Sequence, residues 1–295
     1  MKHLCIYHNA DLDGKCSAAI ALRYLAQAGS HVELLGLNYG DSFPWERVDG
    51  DTAVVMLDFS LQPFNLMLKL HRAAGALTWI DHHSSAIADY EAQEVRWHTK
   101  LRTDQAACEL TWEHYHGANA MPRSVYMLGR YDIWQWKGMQ DALEFQYGLR
   151  SVQNNPANPI WDALLVVTLE NNRVVDSMVD AGRHILRYNN MQNRIYAEAT
   201  CFEFEWRDLR FIASNAQLNN SSLFDSVFDP ERHDAMLTFG YRKGFWTVGM
   251  YSEPTICEAR GFHLGELAKE YGGGGHPGAA GFQCKELPFE LPMAS

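Results

Sequence analysis

Three separated stretches of this chain carry side chains suited to gathering cations. They are His8-Asn9-Ala10-Asp11-Leu12-Asp13-Gly14, Asp58 after Val54-Val55-Met56-Leu57, and Asp81-His82-His83-Ser84-Ser85 after Ala76 to Ile80. Each follows a short apolar run, and the first follows Leu4-Cys5-Ile6-Tyr7. Such runs read as buried parallel strands, and α/β folds place reactive groups at the carboxyl ends of those strands. Asp11, Asp13, Asp58 and Asp81 brought to one sheet edge, with no Lys among them, would repel one another and lose hydration. A pair of divalent cations is the simplest remedy.

The elements that must position these groups alternate between β and α. Strand 1 leads into a helix from Gly14 through Leu25, and Leu34-Leu35-Gly36-Leu37 gives a second strand. Strand 3 ends at Asp58, a helix runs from Pro63 to Ala74 before Gly75, and strand 4 ends at Asp81. Proline at a helix start and glycine just past its end suit helix termini. This alternation predicts an α/β domain with a doubly wound, mostly parallel sheet. Thr103-Asp104 reads as the cap of a helix from Ala106 to His114. The texture changes after Thr200: Phe202-Glu203-Phe204-Glu205-Trp206 and Phe245 to Tyr251 alternate, as strands of a smaller α+β domain would. We expect a domain over 1–172, a helical connector over 173–199 and a second domain over 200–295.

At 295 residues, 47% hydrophobic and 21% charged, the chain has the composition of an ordinary globular protein. Its net charge of −11 argues against a long duplex nucleic acid as partner, because that binding rests on Lys and Arg neutralising phosphate. The 6 cysteines are scattered without a C-x-x-C spacing and read as free thiols in a reducing compartment. No signal-peptide apolar region precedes Asp11, and the longest apolar run, Ala163 to Leu169, is too short to span a bilayer. These features predict a cytoplasmic location and no membrane partner.

Taken together, His8-x-x-Asp11-x-Asp13-Gly14, Asp58, Asp81-His82-His83, Asp132 and Gly272-Gly273-Gly274-Gly275-His276-Pro277-Gly278-Ala279-Ala280-Gly281-Phe282 resemble the DHH–DHHA1 phosphoesterase family. The motifs occur in family order over nearly the whole chain. The first motif and Asn38-Tyr39-Gly40-Asp41 look most like the oligoribonuclease (nanoRNase) branch. The resemblance implies that His8, Asp11, Asp13, Asp58, His82 and Asp132 bind two Mn²⁺ or Mg²⁺ ions, Mn²⁺ being favoured, with Asp58 bridging them. Oxygen-rich sites with a few imidazoles suit such ions, whereas structural zinc favours thiolates. Two ions about 3.5–4 Å apart can activate a water and clamp the attacking and leaving oxygens at phosphorus. In the family pattern His83 faces the scissile phosphate and Asp81 orients its loop.

The glycine run reads as a tight, ordered turn, since glycines allow φ > 0 and successive N–H groups can nest an anion. By resemblance Gly273, Gly274, Gly275 and His276 grip the far phosphate end of the substrate, so that metals and anchor measure a short ligand between the two domains. Family members often carry an arginine in a Ser-Leu-Arg-Ser-like strand end where this chain has Gly249-Met250-Tyr251-Ser252, and Arg260 is the candidate replacement. Pyrophosphatase-like relatives space the first His and Asp one residue wider than His8 and Asp11.

Each residue has an ordinary reading in isolation. Asp11 alone would be a helix cap, Asp132 a satisfied core carboxylate, and the glycines a flexible loop. Trp134, Trp136, Tyr251 and Phe262 could stack a base, although aromatic core is the default, and Lys15, Lys100, Arg102 and Arg130 would by default be solvated. The combination therefore carries the expectation. It is a metal-dependent phosphodiesterase acting on short single-stranded oligoribonucleotides or dinucleotides, with a homodimer compatible. The alternatives are a pyrophosphatase or polyphosphatase, a cyclic-nucleotide phosphodiesterase, and a non-catalytic nucleotide-binding module.

Overall fold

The run Val54 to Leu57 is apolar at every position, as a strand covered on both faces must be, and all four residues are buried in the computed structural model of this protein. The structure describes residues 2–216 and 219–292, leaving out the side chains of 169–171. Two compact units emerge, Met1–Leu186 and Arg187–Ser295. The helix through 169–200, in the segment read as a connector, crosses that division. Among the described residues, no helix is long and apolar enough to cross a membrane.

The first unit alternates β1 (Lys2–His8), α1 (Leu12–Gln27), β2 (His31–Leu37), β3 (Thr52–Leu57), α2 (Asn65–Ala73), β4 (Ala76–Asp81), α3 (Ser84–Glu91) and β5 (His98–Leu101). The strands form one parallel sheet in the order β2-β1-β3-β4-β5, the α/β architecture expected. From β1 the chain leaves first to β2 on one side and then to β3 on the other. That reversal is a topological switch point, where sheets of this kind hold their ligands at the carboxyl ends of the strands.

Helices α4 (Ala107–His116), α5 (Arg123–Asp132), α6 (Gln140–Arg150), α7 (Ile160–Leu164) and α8 (Leu169–Thr200) follow. One sheet face, with Leu4, Ile6, Val54, Met56 and Trp79, packs against Met67 and Leu70 of α2 and Tyr90 of α3. The other, with Cys5, Tyr7, Val55, Leu57 and Ile80, packs against Ala18 and Ala21 of α1 and Leu110 of α4. Each large side chain so buried contributes about 1.5–3 kcal/mol. Behind α1 and α4, the residues Val125, Leu128, Phe145, Trp161 and Val175 close a second helical core.

Thr103-Asp104 does not cap α4. The Asp104 carboxylate instead accepts two bonds from Arg102, at 2.9 and 2.6 Å. A charge-assisted, bidentate partner two residues away is the stronger local competitor for that carboxylate.

The second unit holds β6 (Phe202–Trp206), β7 (Leu209–Ser214), β8 (Ala235–Arg242), β9 (Phe245–Tyr251), α9 (Pro254–Arg260), α10 (Leu264–Lys269), β10 (Gly274–His276) and β11 (Ala279–Cys284). Its mixed sheet has the order β10-β11-β9-β8-β7-β6, with β7 and β8 parallel and the other neighbours antiparallel. Two-residue turns at Arg207-Asp208 (φ 55° and 58°) and Lys243-Gly244 (φ 50° and 91°) have the left-handed backbone that matches strand twist in tight hairpins. Phe211, Phe239, Val248, Met250 and Phe282 form the core with Leu264 and Ala268 of α10.

The glycine run differs from the expected turn. Gly274 and Gly275 belong to β10 and pair with Gly281 and Ala280, so the chain reverses at Pro277-Gly278. Close approach rather than a nest explains the glycine at 275, whose φ is +144° and where a Cβ would stand 2.4 Å from the Ala279 carbonyl oxygen.

Candidate metal centre

His8 ends β1, Asp58 follows β3, Asp81 ends β4, and the parallel register brings these carboxyl ends together. Asp11 caps α1 by accepting the Gly14 N–H at 3.0 Å, so the ordinary reading of this residue is also true. Its second oxygen points elsewhere, lying 2.6 Å from His8 Nδ1. Asp13, the second residue of α1, is fixed by a different helix: its carboxylate accepts the Ala107 N–H at 2.9 Å and the Cys108 N–H at 2.7 Å. Those are among the amides that a helix start leaves unsatisfied, and an anion is favoured there.

Asp132 is the last residue of α5, at the end of a helix that disfavours a carboxylate. His82 Nε2 joins the parts, at 3.2 Å from Asp132 Oδ2, 3.3 Å from Asp58 Oδ1 and 3.7 Å from Asp13 Oδ2. Three overlapping groups with metal-ligand spacing result: His8, Asp11 and Asp58; Asp13, His82 and Asp132; and Asp58, His82 and His83. The structure thus brings together all six side chains expected as ligands, together with His83.

Asp81 stands behind them, fully buried. Its Oδ1 accepts the backbone N–H groups of His82 and His83 and lies 2.7 Å from His83 Nδ1, while the Trp79 indole N–H reaches Oδ2 at 3.1 Å. Burial alone would raise its pKa, but the contacts from His83 prevail and hold it below the usual carboxylate range.

The electrostatics favour a cation. Burial, followed by the charges of Asp13 and Asp11, pushes Asp58 well above its ordinary pKa. Asp132 is raised to about 7 for the same leading reason, with Asp13 adding to it. Burial opposes a charged His8, yet the Asp11 and Asp58 carboxylates outweigh it and push that imidazole up to about 10. Protons thus gather where positive charge is wanted.

Two further observations fit a metal in particular. Asp58 Oδ1 and His8 Nδ1 are buried without an aligned hydrogen-bond partner, even though acids and imidazoles crowd them. Asp58 also has φ 54°, a left-handed backbone costly for a side chain and typical of over-determined functional positions. The carboxylate and imidazole donors suit Mn²⁺ or Mg²⁺.

Residues 3–129, which hold most of this constellation, match the model of the DHH family, N-terminal domain. A protein of Acanthamoeba polyphaga mimivirus, R106, is 23% identical over 245 residues, covering 81% of this chain and 55% of the viral one. The chain therefore spans about half the length of that curated relative. Among solved structures, the DHH domain of a member of a ribosomal protein family aligns with 95% of this chain and 82% of its own, at TM-score 0.58 and 14% identity. An exopolyphosphatase-related protein from Bacteroides fragilis covers 98% and 88%, at TM-score 0.51 and 13% identity. These likenesses are of fold.

In the second unit, Gly273, Gly274 and Gly275 line a cavity of about 630 Å³ with Thr247, Tyr251 and Gln283. His276, exposed at the end of β10, and Arg260 are not among its lining residues. Arg260 pairs with Asp234 and donates to the Pro230 carbonyl at 2.7 Å.

Glu109 escaped the sequence reading. It is buried, pairs closely with Arg130, and accepts the Ala106 N–H at 3.1 Å, so it ties the start of α4 to the helix that carries Asp132. Its signal was present: a Glu three residues after the residue preceding a helix is half of a capping box.

Proposed function

We propose that this protein is a metal-dependent phosphodiesterase that hydrolyses short RNA oligonucleotides or linear dinucleotides to mononucleotides. The observation that carries this reading is the sharing of ligands: Asp58 belongs both to the His8–Asp11 group and to the His82–His83 group, and His82 links to Asp13 and Asp132. That is the arrangement two neighbouring cations require. Divalent cations held there, Mn²⁺ best matching the mixed oxygen and nitrogen donors, supply Lewis acidity toward water and phosphoryl oxygen.

The side chains have separate tasks. His8 and Asp11 would hold one cation and Asp13, His82 and Asp132 the other, with Asp58 placed to serve both. Asp81 orients His83 through Nδ1 and favours its charged form, in which the other ring nitrogen would donate a hydrogen bond to a phosphate oxygen. The Asp13 carboxylate is immobilised by the first amides of α4, so its position is set before substrate arrives. Gly273 to Gly275, with His276 beyond them on β10, offer the second unit's cavity as the anchor for the distal nucleotide; a volume of about 630 Å³ is in the range of small-ligand sites. Arg260, committed to Asp234, would reach substrate only by giving up that pair. A net charge of −11 is in keeping with a short substrate met by cations and against a long duplex.

The test is incubation of the purified chain with Mn²⁺ and a labelled diribonucleotide, beside pyrophosphate and a cyclic dinucleotide. Mononucleotide from the linear substrate is expected. Orthophosphate from pyrophosphate at a higher rate, with the diribonucleotide intact, would replace this reading with phosphoanhydride hydrolysis.

A further inference from the structure

The sheet order β2-β1-β3 puts the segments that follow β2 and β3 on either side of His8. Between those segments lies a cavity of about 360 Å³ lined by Asn38, Tyr39, Phe43, Trp45, Phe59 and Gln62, among others. It belongs wholly to the first unit, and the metal-ligand groups do not explain it. Tyr39 and Phe59 separate it from His8: their ring centres lie 5.5 and 6.1 Å from the imidazole and 4.9 Å from each other. Phe43 and Trp45 meet edge to face at 4.6 Å, and Lys69 Nζ rests 3.8 Å over the Trp45 ring.

The chemistry of the lining narrows the ligand. Among its described lining residues Asp41 is the charged one and none is cationic, Lys69 being engaged on the Trp45 ring, so the lining offers a phosphate no partner of its own. A flat, uncharged aromatic group with polar edges is suited to it. Tyr39 is 48% exposed, a large aromatic left at a cavity mouth instead of packed away. Asn38 Oδ1 is buried without a hydrogen-bond partner, an acceptor that a ligand N–H would satisfy.

We propose that this cavity binds one nucleobase of the substrate, stacking it on the Tyr39–Phe59 and Phe43–Trp45 rings while the phosphate of the same nucleotide meets the acidic cluster past His8. The proposal rests on the phosphodiesterase reading for the identity of the ligand, but base binding can be measured without turnover. Stacking on aromatic side chains is tolerant of sequence, so the subsite accepts any base.

Calorimetry on the whole Mn²⁺-loaded chain compares adenosine 5′-monophosphate with ribose 5-phosphate, which carries a hydroxyl where the nucleotide carries its base. The wild type is expected to prefer the nucleotide by about tenfold, in line with the strength of base–aromatic stacking. Tyr39→Ala removes a stacking ring. Ser42→Trp fills the cavity from an exposed position without truncating a packed side chain. Either change should bring the preference to within about twofold while ribose 5-phosphate binds as before. A wild-type preference below threefold, undetectable binding of both ligands included, overturns the proposal, as does a tenfold preference that survives both substitutions. Failure of the phosphodiesterase reading is separate: the diribonucleotide would stay uncleaved while the preference for the base-bearing ligand stands.

Discussion

Asp81 Oδ1 sits 2.7 Å from His83 Nδ1 and in the same place accepts the amides of the two histidines that follow it. One buried oxygen therefore fixes the ring nitrogen, the backbone turn and the direction of His83. The carboxylate also overcomes the effect of burial on His83 and keeps its pKa above the ordinary value.

Replacing that carboxylate by its amide separates charge from shape. Asp81→Asn should lower kcat on a diribonucleotide by about 10–100-fold, as loss of an outer-shell partner does. The alkaline limb of the kcat–pH profile should move to lower pH, since His83 donates to phosphate in its charged form and loses the carboxylate that favours that form. An unchanged profile would show that Asp81 serves the fold alone.

Asp58 is held in a left-handed backbone conformation, buried, and with its pKa raised by its surroundings. Asp58→Gly removes the charge and accepts that backbone without strain. Relief of about 1–3 kcal/mol, at about 2–4 °C per kcal/mol for a domain of this size, should raise the melting temperature of the metal-stripped protein by several degrees. Metal content by elemental analysis should fall and diribonucleotide cleavage should vanish. Near wild-type turnover with metal bound would show the site to be misassigned.

Stability of the metal-stripped protein should fall as pH rises. Burial lifts Asp132 to about 7 and Asp58 in the same direction, and the carboxylates around His8 lift it to about 10. Unfolded, these groups titrate near 3.9 and 6.5. Between the two sets of values the native state binds protons that the unfolded chain lacks, so increasing pH disfavours folding. Asp11 and Asp81, shifted downward, act only below the ordinary carboxylate range. Thermal melts at about pH 5.5 and pH 8.5 should show the lower melting temperature at the higher pH and a larger gain from Mn²⁺ there. The opposite slope would refute the charge arrangement described.

Gly14 lies where α1 crosses the end of β1, and a Cβ there would stand 2.2 Å from the His8 carbonyl oxygen. Gly14→Ala must push helix and strand apart, displacing His8 from Asp11 and Asp58. Weaker Mn²⁺ binding by titration calorimetry is expected, with a lower melting temperature. Wild-type affinity in a folded variant would mean that β1 yields without moving its histidine.

Much of the fold was legible because its signals are local. The apolar runs at Leu4–Tyr7, Val54–Leu57 and Ala76–Ile80 read as doubly covered strands, and their spacing left room for helices between them. Even the caps follow this rule where the partner is near, as with Asp11 and Gly14. The reading failed where a nearer or more distant partner intervened. Asp104 chose Arg102, and α4 took Asp13 and Glu109 at its start, one of them 94 residues away from Ala107.

The sequence by itself determined which side chains were available and that β-α alternation would carry them to strand ends, since apolar period and turn residues are properties of short segments. It also supplied the glycines that let strands and helices approach closely. Only the tertiary structure decided the strand order that makes β1 the switch point, the sharing of Asp58 and His82 between ligand groups, the pairing of Gly274 and Gly275 into a strand, and the aromatic cavity beside His8. Those features depend on contacts between residues far apart in the chain, whose geometry is set by packing and register and leaves no periodic trace in either partner.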